Sequence, residues 1–265
     1  MIADYHTHTP LCRHAEGEPE SFVNAALAAG LREYGISDHA PHTPEPFDDW
    51  RMLESELPAY YEFIKRAKDH AQGRLPIRAG LECDWLPGCE SWIESLAERY
   101  PWDYLIGSIH YLGKDFDFDN PKWLGRWTEL DVAETWTAYW KEYENLARSG
   151  LFDILAHPDL IKKFSYVPAG DLRPYYEPVI QAIADRGSAI ELNTAGWHKA
   201  CAEQYPARPF LEMAAQANIP IVISSDAHHP NEVARDFPKA IALIKECGFK
   251  NTLLFEQRKK TSIPL

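Results

Sequence analysis

Ile2-Ala3-Asp4-Tyr5-His6-Thr7-His8 decides how the rest of the chain is read. A short apolar run closes on two histidines one residue apart. In extended backbone, side chains at i and i+2 share a face, so both imidazoles point the same way. Two neutral imidazoles at a strand end make half of a divalent-metal site. An isolated His-x-His is common and often incidental, so the pair gains meaning only if other strands end alike.

Beyond it, short apolar runs alternate with longer amphipathic ones, the order of a parallel α/β fold. Strands are expected at residues 2–6, 33–37, 76–82, 104–110, 152–157, 189–193 and 219–224. Helical periodicity falls between them, at 20–29, 53–71, 89–99, 131–148, 175–185, 209–217 and 231–245. Glu144 and Arg148 form an i,i+4 pair in the fourth helix. Seven strand–helix units in 265 residues suit a single-domain, distorted (β/α)7 barrel of the TIM type, one domain over residues 1–265. Residues 112–128, rich in Asp, Trp and Gly, read as a long loop on the face where barrels put their chemistry.

The composition narrows the function. Net charge is −13, from 27 basic and 40 acidic residues, and no Lys/Arg cluster exceeds a few residues. That argues against long nucleic acid as a partner. Arg258-Lys259-Lys260 reads as a solvated tail. No window is apolar enough to span a membrane, and the N-terminus lacks a basic-then-apolar leader, so a cytoplasmic protein is expected. Cys12, Cys83, Cys89, Cys201 and Cys247 form no CxxC pair, which suggests neither a disulfide framework nor a zinc ribbon. Cys12 and Cys83 fit small buried thiols.

The strand ends belong together. The first carries His6 and His8, with His14 just beyond. Later ones end in Ser37-Asp38-His39, Gly80-Leu81-Glu82, Gly107-Ser108-Ile109-His110, Ala156-His157-Pro158, Glu191-Leu192-Asn193 and Ser225-Asp226-Ala227-His228. In a parallel barrel these ends converge on one face. Seven histidines and two carboxylates give nine candidate ligands: His6, His8, His14, His39, Glu82, His110, His157, Asp226 and His228. One tetrahedral ion needs about four, so nine suit two or three ions. Taken singly, a strand-end His is more often a hydrogen-bonding residue, and Glu82 or Asp226 could cap a helix. Seven of the eleven histidines fall in the pattern, and the bland reading would have to hold independently at each. His70 reads as a solvated helix residue and His229 as a flank of the site. His42 and His198 lie in loops on the same face, within reach of a substrate.

These ordered motifs resemble the polymerase-and-histidinol-phosphatase (PHP) superfamily, from Met1 to about residue 248. Trp102-Asp103-Tyr104-Leu105-Ile106-Gly107-Ser108-Ile109-His110, Ile190-Glu191-Leu192-Asn193-Thr194-Ala195-Gly196 and Tyr205-Pro206 are most similar to its monofunctional histidinol-phosphate phosphatases. The resemblance implies the distorted barrel and a centre of three divalent ions, zinc, manganese or iron. It implies one ion on His6, His8, Glu82 and Asp226, a second on Glu82, His110 and His157, and a third on His14, His39 and His228. The implied reaction is hydrolysis of a small phosphate monoester, most closely L-histidinol phosphate in histidine biosynthesis, by a hydroxide bridging two ions. Glu82, Asp226 and His228 form the expected catalytic set. Arg13, His42, Lys163, Glu191, Asn193, His198 and Lys199 are the expected substrate contacts. The chain departs from the family where an Arg-Lys pair follows the Asn-Thr-x-Gly turn; Trp197-His198-Lys199 stands there. Competing readings are a PHP phosphoesterase acting on nucleotides or oligonucleotide ends, and a non-catalytic metal-binding protein. A metal-dependent amidohydrolase fits less well, because that class wants a strand-end lysine and none is offered.

Overall fold

The computed structural model describes residues 2–265. Its opening stretch runs as extended chain that never forms a regular ladder. It bridges two neighbours singly, Asp4 beside Tyr34 and Thr7 beside Ala227, both parallel. Gly35 N donates to Asp4 O at 2.8 Å, and His8 N donates to Ala227 O at 2.9 Å. The expected first strand is thus a seam that changes partner between Asp4 and Thr7.

Strand β1 (Tyr34–Ile36) pairs in parallel with β2 (Ile77–Ala79). The expected third strand divides. Gly80 and Leu81 separate β2 from β3 (Glu82–Asp84). β3 then opens a parallel sheet with β4 (Ile106–Ser108), β5 (Ile154–Leu155), β6 (Ala189–Asn193) and β7 (Ile221–Ser224), in that order. A parallel bridge from His39 to Glu82 joins the β1 side to β3. The pairings therefore run in a circuit through seven segments, a distorted barrel.

A close approach requires glycine at positions 35 and 80, and backbone pairing continues across the split, with Gly80 N donating to Ile36 O at 2.8 Å. The Tyr104 ring lies where a Cβ on either Gly35 or Gly80 would stand, and its hydroxyl donates to Tyr5 O at 2.6 Å. Tyr5, Tyr104, Ile106, Ile154, Ala189 and Val222 fill the barrel interior.

The helices are α1 (Pro19–Ala28), α2 (Leu57–Ala71), α3 (Glu90–Glu98), α4 (Leu124–Trp127), α5 (Val132–Ser149), α6 (Arg173–Arg186), α7 (Arg208–Gln216) and α8 (Phe237–Glu246). α5 starts on an Asp131 cap, whose side chain accepts from Glu134 N at 3.0 Å, and stops at Gly150 with φ 69°. The expected Glu144–Arg148 pair forms at 2.8 Å. α8 starts later than its periodicity suggests. Ala234 and Asp236 sit at φ 56° and 61°, and Ala234 N is held by the buried Asp4 carboxylate at 3.0 Å. The 112–128 segment is largely exposed but anchored: Phe116, Phe118 and Trp127 are buried, and Trp127 Nε1 donates to Phe118 O at 2.8 Å.

The C-terminus corrects the solvated-tail expectation. β8 (Asn251–Glu256) and β9 (Lys259–Pro264) form an antiparallel hairpin. Leu253 and Phe255 close the end of the barrel away from the histidines, with Phe255 N donating to the Tyr5 hydroxyl at 2.9 Å. Arg258 pairs with Asp153 and donates to Leu151 O. All five cysteines are free, and among the described residues no helix is long and apolar enough to cross a membrane.

Candidate metal centre

Glu82 is the hub. Its side chain has no solvent exposure. Oε2 lies 2.7 Å from His39 Nδ1, 3.2 Å from His6 Nε2 and 3.8 Å from His8 Nε2. Oε1 lies 3.1 Å from His157 Nε2 and 3.6 Å from His110 Nε2. Asp226 Oδ1 stands 3.1 Å from His8 Nε2 and 3.9 Å from His6 Nε2. The His14 and His228 rings stack 4.6 Å apart at the outer side. All nine predicted ligands thus converge at the barrel mouth.

The outer nitrogens explain how the rings are aimed. His6 Nδ1 lies 2.8 Å from Glu191, His110 Nδ1 2.8 Å from Asp84, and His8 Nδ1 3.3 Å from Asp38. An ionised carboxylate only accepts, so each Nδ1 carries a proton and each Nε2 points inward, a lone-pair donor once a cation displaces the proton there. His14 and His228 do the same through the carbonyls of Cys12 and Asp226, at 2.7 and 3.0 Å. His39 is reversed and offers Nδ1.

Buried donor atoms test whether cations fit. His6 Nε2, His39 Nδ1, Glu82 Oε2 and His228 Nε2 are buried without a hydrogen-bond partner, although other polar atoms crowd them. Such groups are costly unless something binds them. Imidazole and carboxylate donors suit zinc, iron or manganese. Groups with ligand atoms all within 4.8 Å include His6–Glu82–His157, His6–His8–Asp226 and His8–His39–His228. His14 falls instead with His228 and Cys12, whose thiol is buried and pushed up in pKa by that burial and by Asp38. His157 and Asp226 also hold positive φ, 23° and 54°, a strained backbone of the kind that collects at functional sites.

Among the protein groups themselves, charge divides the cluster. Burial opposes a proton on His6, but Glu191, Glu82 and Asp226 outweigh it and lift its pKa well above the ordinary value. The same contest brings His8 and His110 to about 9. Burial wins at His39, which falls to about 4, and at His14 and His228, which are also lowered by the charge on His8. Glu82 and Asp226 stay ionised against burial because the imidazoles surround them. Cations entering this centre compete with protons.

A cavity of about 560 Å³ opens over the centre. Arg13, Lys163 and Lys199 line it, as expected for substrate contacts. The other four expected contacts do not. Glu191 and Asn193 are fully buried behind the ligands; Glu191 also accepts from His157 N at 2.8 Å, and Asn193 Nδ2 donates to Asp226 at 3.1 Å. They contact the candidate ligands His6, His157 and Asp226, not the cavity. His42 turns away, packing on Phe47 with Nδ1 on Thr43 O. His198 is drawn to Asp236 at 2.6 Å, outside the cavity. Trp50, Asp49 and Arg235 line the cavity without a motif in the sequence to mark them; Tyr205, also in the lining, and Asp38, behind His8, lie in quoted motifs that give them no role, and Asp84 stands behind His110. Asp84 had a signal: it is two residues after Glu82 on one strand and shares its face.

A model of the PHP domain matches residues 4–195, and the chain belongs to the PHP domain family. Within it, a probable histidinol-phosphatase of Deinococcus radiodurans is 42% identical over 260 residues, spanning 97% of this chain and 98% of that one. The histidinol-phosphatase of Bacillus subtilis is 29% identical over 259 residues, 87% of this chain and 94% of that protein. The crystal structure of histidinol phosphate phosphatase from Lactococcus lactis, complexed with zinc, L-histidinol and phosphate, has the same fold. It matches with a TM-score of 0.83 at 21% identity, over 98% of this chain and 100% of that one.

Proposed function

We infer that this chain is a metal-dependent phosphomonoester hydrolase acting on L-histidinol phosphate. The observation that carries the reading is the ring of inward-facing imidazoles around Glu82 at the floor of a polar cavity, in a chain whose relatives bear the name histidinol-phosphatase. Three divalent cations are proposed, zinc, manganese or iron, in the sets that the family resemblance implies. Bound there, they would supply positive charge to phosphoryl oxygens and acidify a water nucleophile to a pKa of about 7.

The chain's own groups do the rest. Glu82 offers an oxygen to each side of the centre, as a bridging ligand must. Asp226, held ionised, suits a ligand better than a proton donor to the leaving alkoxide. Arg13, Lys163, Lys199 and Arg235 bring cations to the cavity rim inside a protein of net charge −13; Arg13, Lys163 and Arg235 are paired with Glu56, Asp119 and Glu232 and would exchange those carboxylates for a phosphate. Asp49 provides an acceptor for the ammonium or imidazole of the substrate, with Trp50 and Tyr205 as aromatic walls, whereas Asp119 is paired with Lys163 at 2.9 Å and Asp117 with Lys122 at 2.8 Å. Asp115 and Trp123 of the same loop region are absent from the lining, and Trp127 is in the core. A single-domain, cytoplasmic enzyme without a nucleic-acid or membrane partner completes the proposal.

The test is a phosphate-ester panel on protein loaded separately with zinc, manganese and iron, with elemental analysis of each. L-histidinol phosphate should exceed simple alkyl phosphates at least tenfold in kcat/KM, about 1.4 kcal/mol in the transition state. Cation content should approach about three per chain, the number suited to nine ligands. A flat profile across alkyl, sugar, nucleotide and amino-alcohol phosphates would remove the substrate assignment. A ceiling of one cation would remove the trinuclear reading.

A further inference from the structure

Arg51 sits in the loop between β1 and α2 and is 3% exposed. A lone arginine in a loop is ordinarily a solvated charge, so its burial requires partners. It has two carboxylates. Nη2 donates to Asp84 Oδ2 at 2.9 Å, and Nε donates to Asp48 Oδ2 at 2.7 Å. Asp84 uses its other oxygen on His110 Nδ1, at 2.8 Å. Asp48 also accepts from the Tyr111 hydroxyl at 2.7 Å. The guanidinium lies over the Trp50 ring at 4.4 Å and the Phe47 ring at 5.0 Å. Trp50 in turn sets its edge against His39 at 4.7 Å and His110 at 5.5 Å, and lines the cavity.

We propose that Arg51 is a positioning residue that couples the Trp50 wall of the cavity to the aim of His110. One fork reaches the carboxylate that orients a ligand; the same plane carries the ring that shapes the substrate space. The inference rests on the reading of His110 as a cation ligand. A planar guanidinium can engage both carboxylates and stack on a ring at once, which an ammonium cannot do. Outer partners of ligating histidines typically change metal affinity about 10–100-fold when removed. A buried ion pair held only for stability would lower unfolding stability when one partner is removed, without a matched change in zinc affinity and in the exposure of Trp50.

The experiment uses the full chain with Arg51→Met, Arg51→Lys and Asp48→Asn. Zinc affinity is read by competition with a chromophoric chelator. The accessibility of Trp50 is read by acrylamide quenching, as the difference between each protein and its Trp50→Phe counterpart. Arg51→Met should lower the affinity of one zinc class at least tenfold and raise Trp50 quenching at least twofold. Arg51→Lys should restore part of each. Should Arg51→Met fail to fold, Arg51→Lys carries the test by falling short of wild type on both readouts. Asp48→Asn should free Trp50 while leaving zinc affinity within twofold, because Arg51 still holds Asp84. Wild-type zinc affinity in either folded Arg51 variant overturns the proposal, as does a loss of affinity in Asp48→Asn equal to that in Arg51→Met. Failure of wild-type protein to hydrolyse histidinol phosphate while binding zinc normally would sink the substrate reading and leave these comparisons intact.

Discussion

Glu191→Gln separates an orienting carboxylate from a substrate contact. Glu191 is fully buried; one oxygen accepts from His6 Nδ1 at 2.8 Å, and the other from His157 N at 2.8 Å and Asn193 Nδ2 at 3.1 Å. Glutamine keeps the shape but offers one acceptor where two are used. Whichever way the amide turns, an NH2 faces a buried N–H, which costs about 1–3 kcal/mol. If the loss falls on His6, its imidazole is no longer fixed as the Nδ1–H tautomer, and cation affinity should drop about 10–100-fold. That range corresponds to about 1.4–2.7 kcal/mol, inside the cost just given. The assay is zinc competition alongside kcat/KM for histidinol phosphate and phenyl phosphate. Both esters should slow by the same factor, because no atom of Glu191 reaches the cavity. Unchanged zinc affinity with a collapsed preference for histidinol phosphate would refute the reasoning and return Glu191 to the substrate.

Glu82→Gln should act more severely, because this side chain approaches five imidazoles within 3.8 Å. Affinities of two cations should fall together in a titration and hydrolysis by orders of magnitude; near-normal turnover would make Glu82 a structural carboxylate. Gly80→Ala should destabilise the fold by about 1–3 kcal/mol, since the added methyl meets the Tyr104 ring. Denaturant unfolding measures it, and an unchanged midpoint would mean the ring can move aside.

The candidate ligands were legible because polar strand ends stand out against apolar runs, and parallel strands deliver all such ends to one face. Depth was not legible. Glu191 and Asn193 share a face by the i,i+2 rule, so both read as site residues. Yet Glu191 lies one step further down β6, beneath His6, and pattern alone does not say at which layer a side chain stops. His42 and His198 illustrate the converse. Both occupy loops on the correct face, and each is taken by a local partner, Thr43 O and Asp236, that periodicity cannot reveal. Arg51 carried no sequence signal, because its two carboxylates come from different segments, one of them 33 residues on.

The C-terminal hairpin was missed for a different reason. Tight hairpins are advertised by Asn-Gly or Asp-Gly, which take left-handed backbone at both turn positions. Here Gln257 and Arg258 hold φ of 49° and 63°, a conformation their side chains disfavour. The rest of the fold supplies what the dipeptide lacks. Gln257 N and Arg258 N both donate to Asp103, one to its carboxylate and one to its carbonyl, while the Arg258 side chain reaches Asp153 and Leu151 O. Asp103 and Asp153 also accept from backbone amides at the end of β2 and just before β4, Ala79 N at 2.9 Å and Leu105 N at 2.8 Å. The turn is therefore fixed by the closed end of the barrel and forms with it. A motif whose geometry is imposed by tertiary bonds leaves no local signature, whereas a ligand that must end a strand leaves one at every strand.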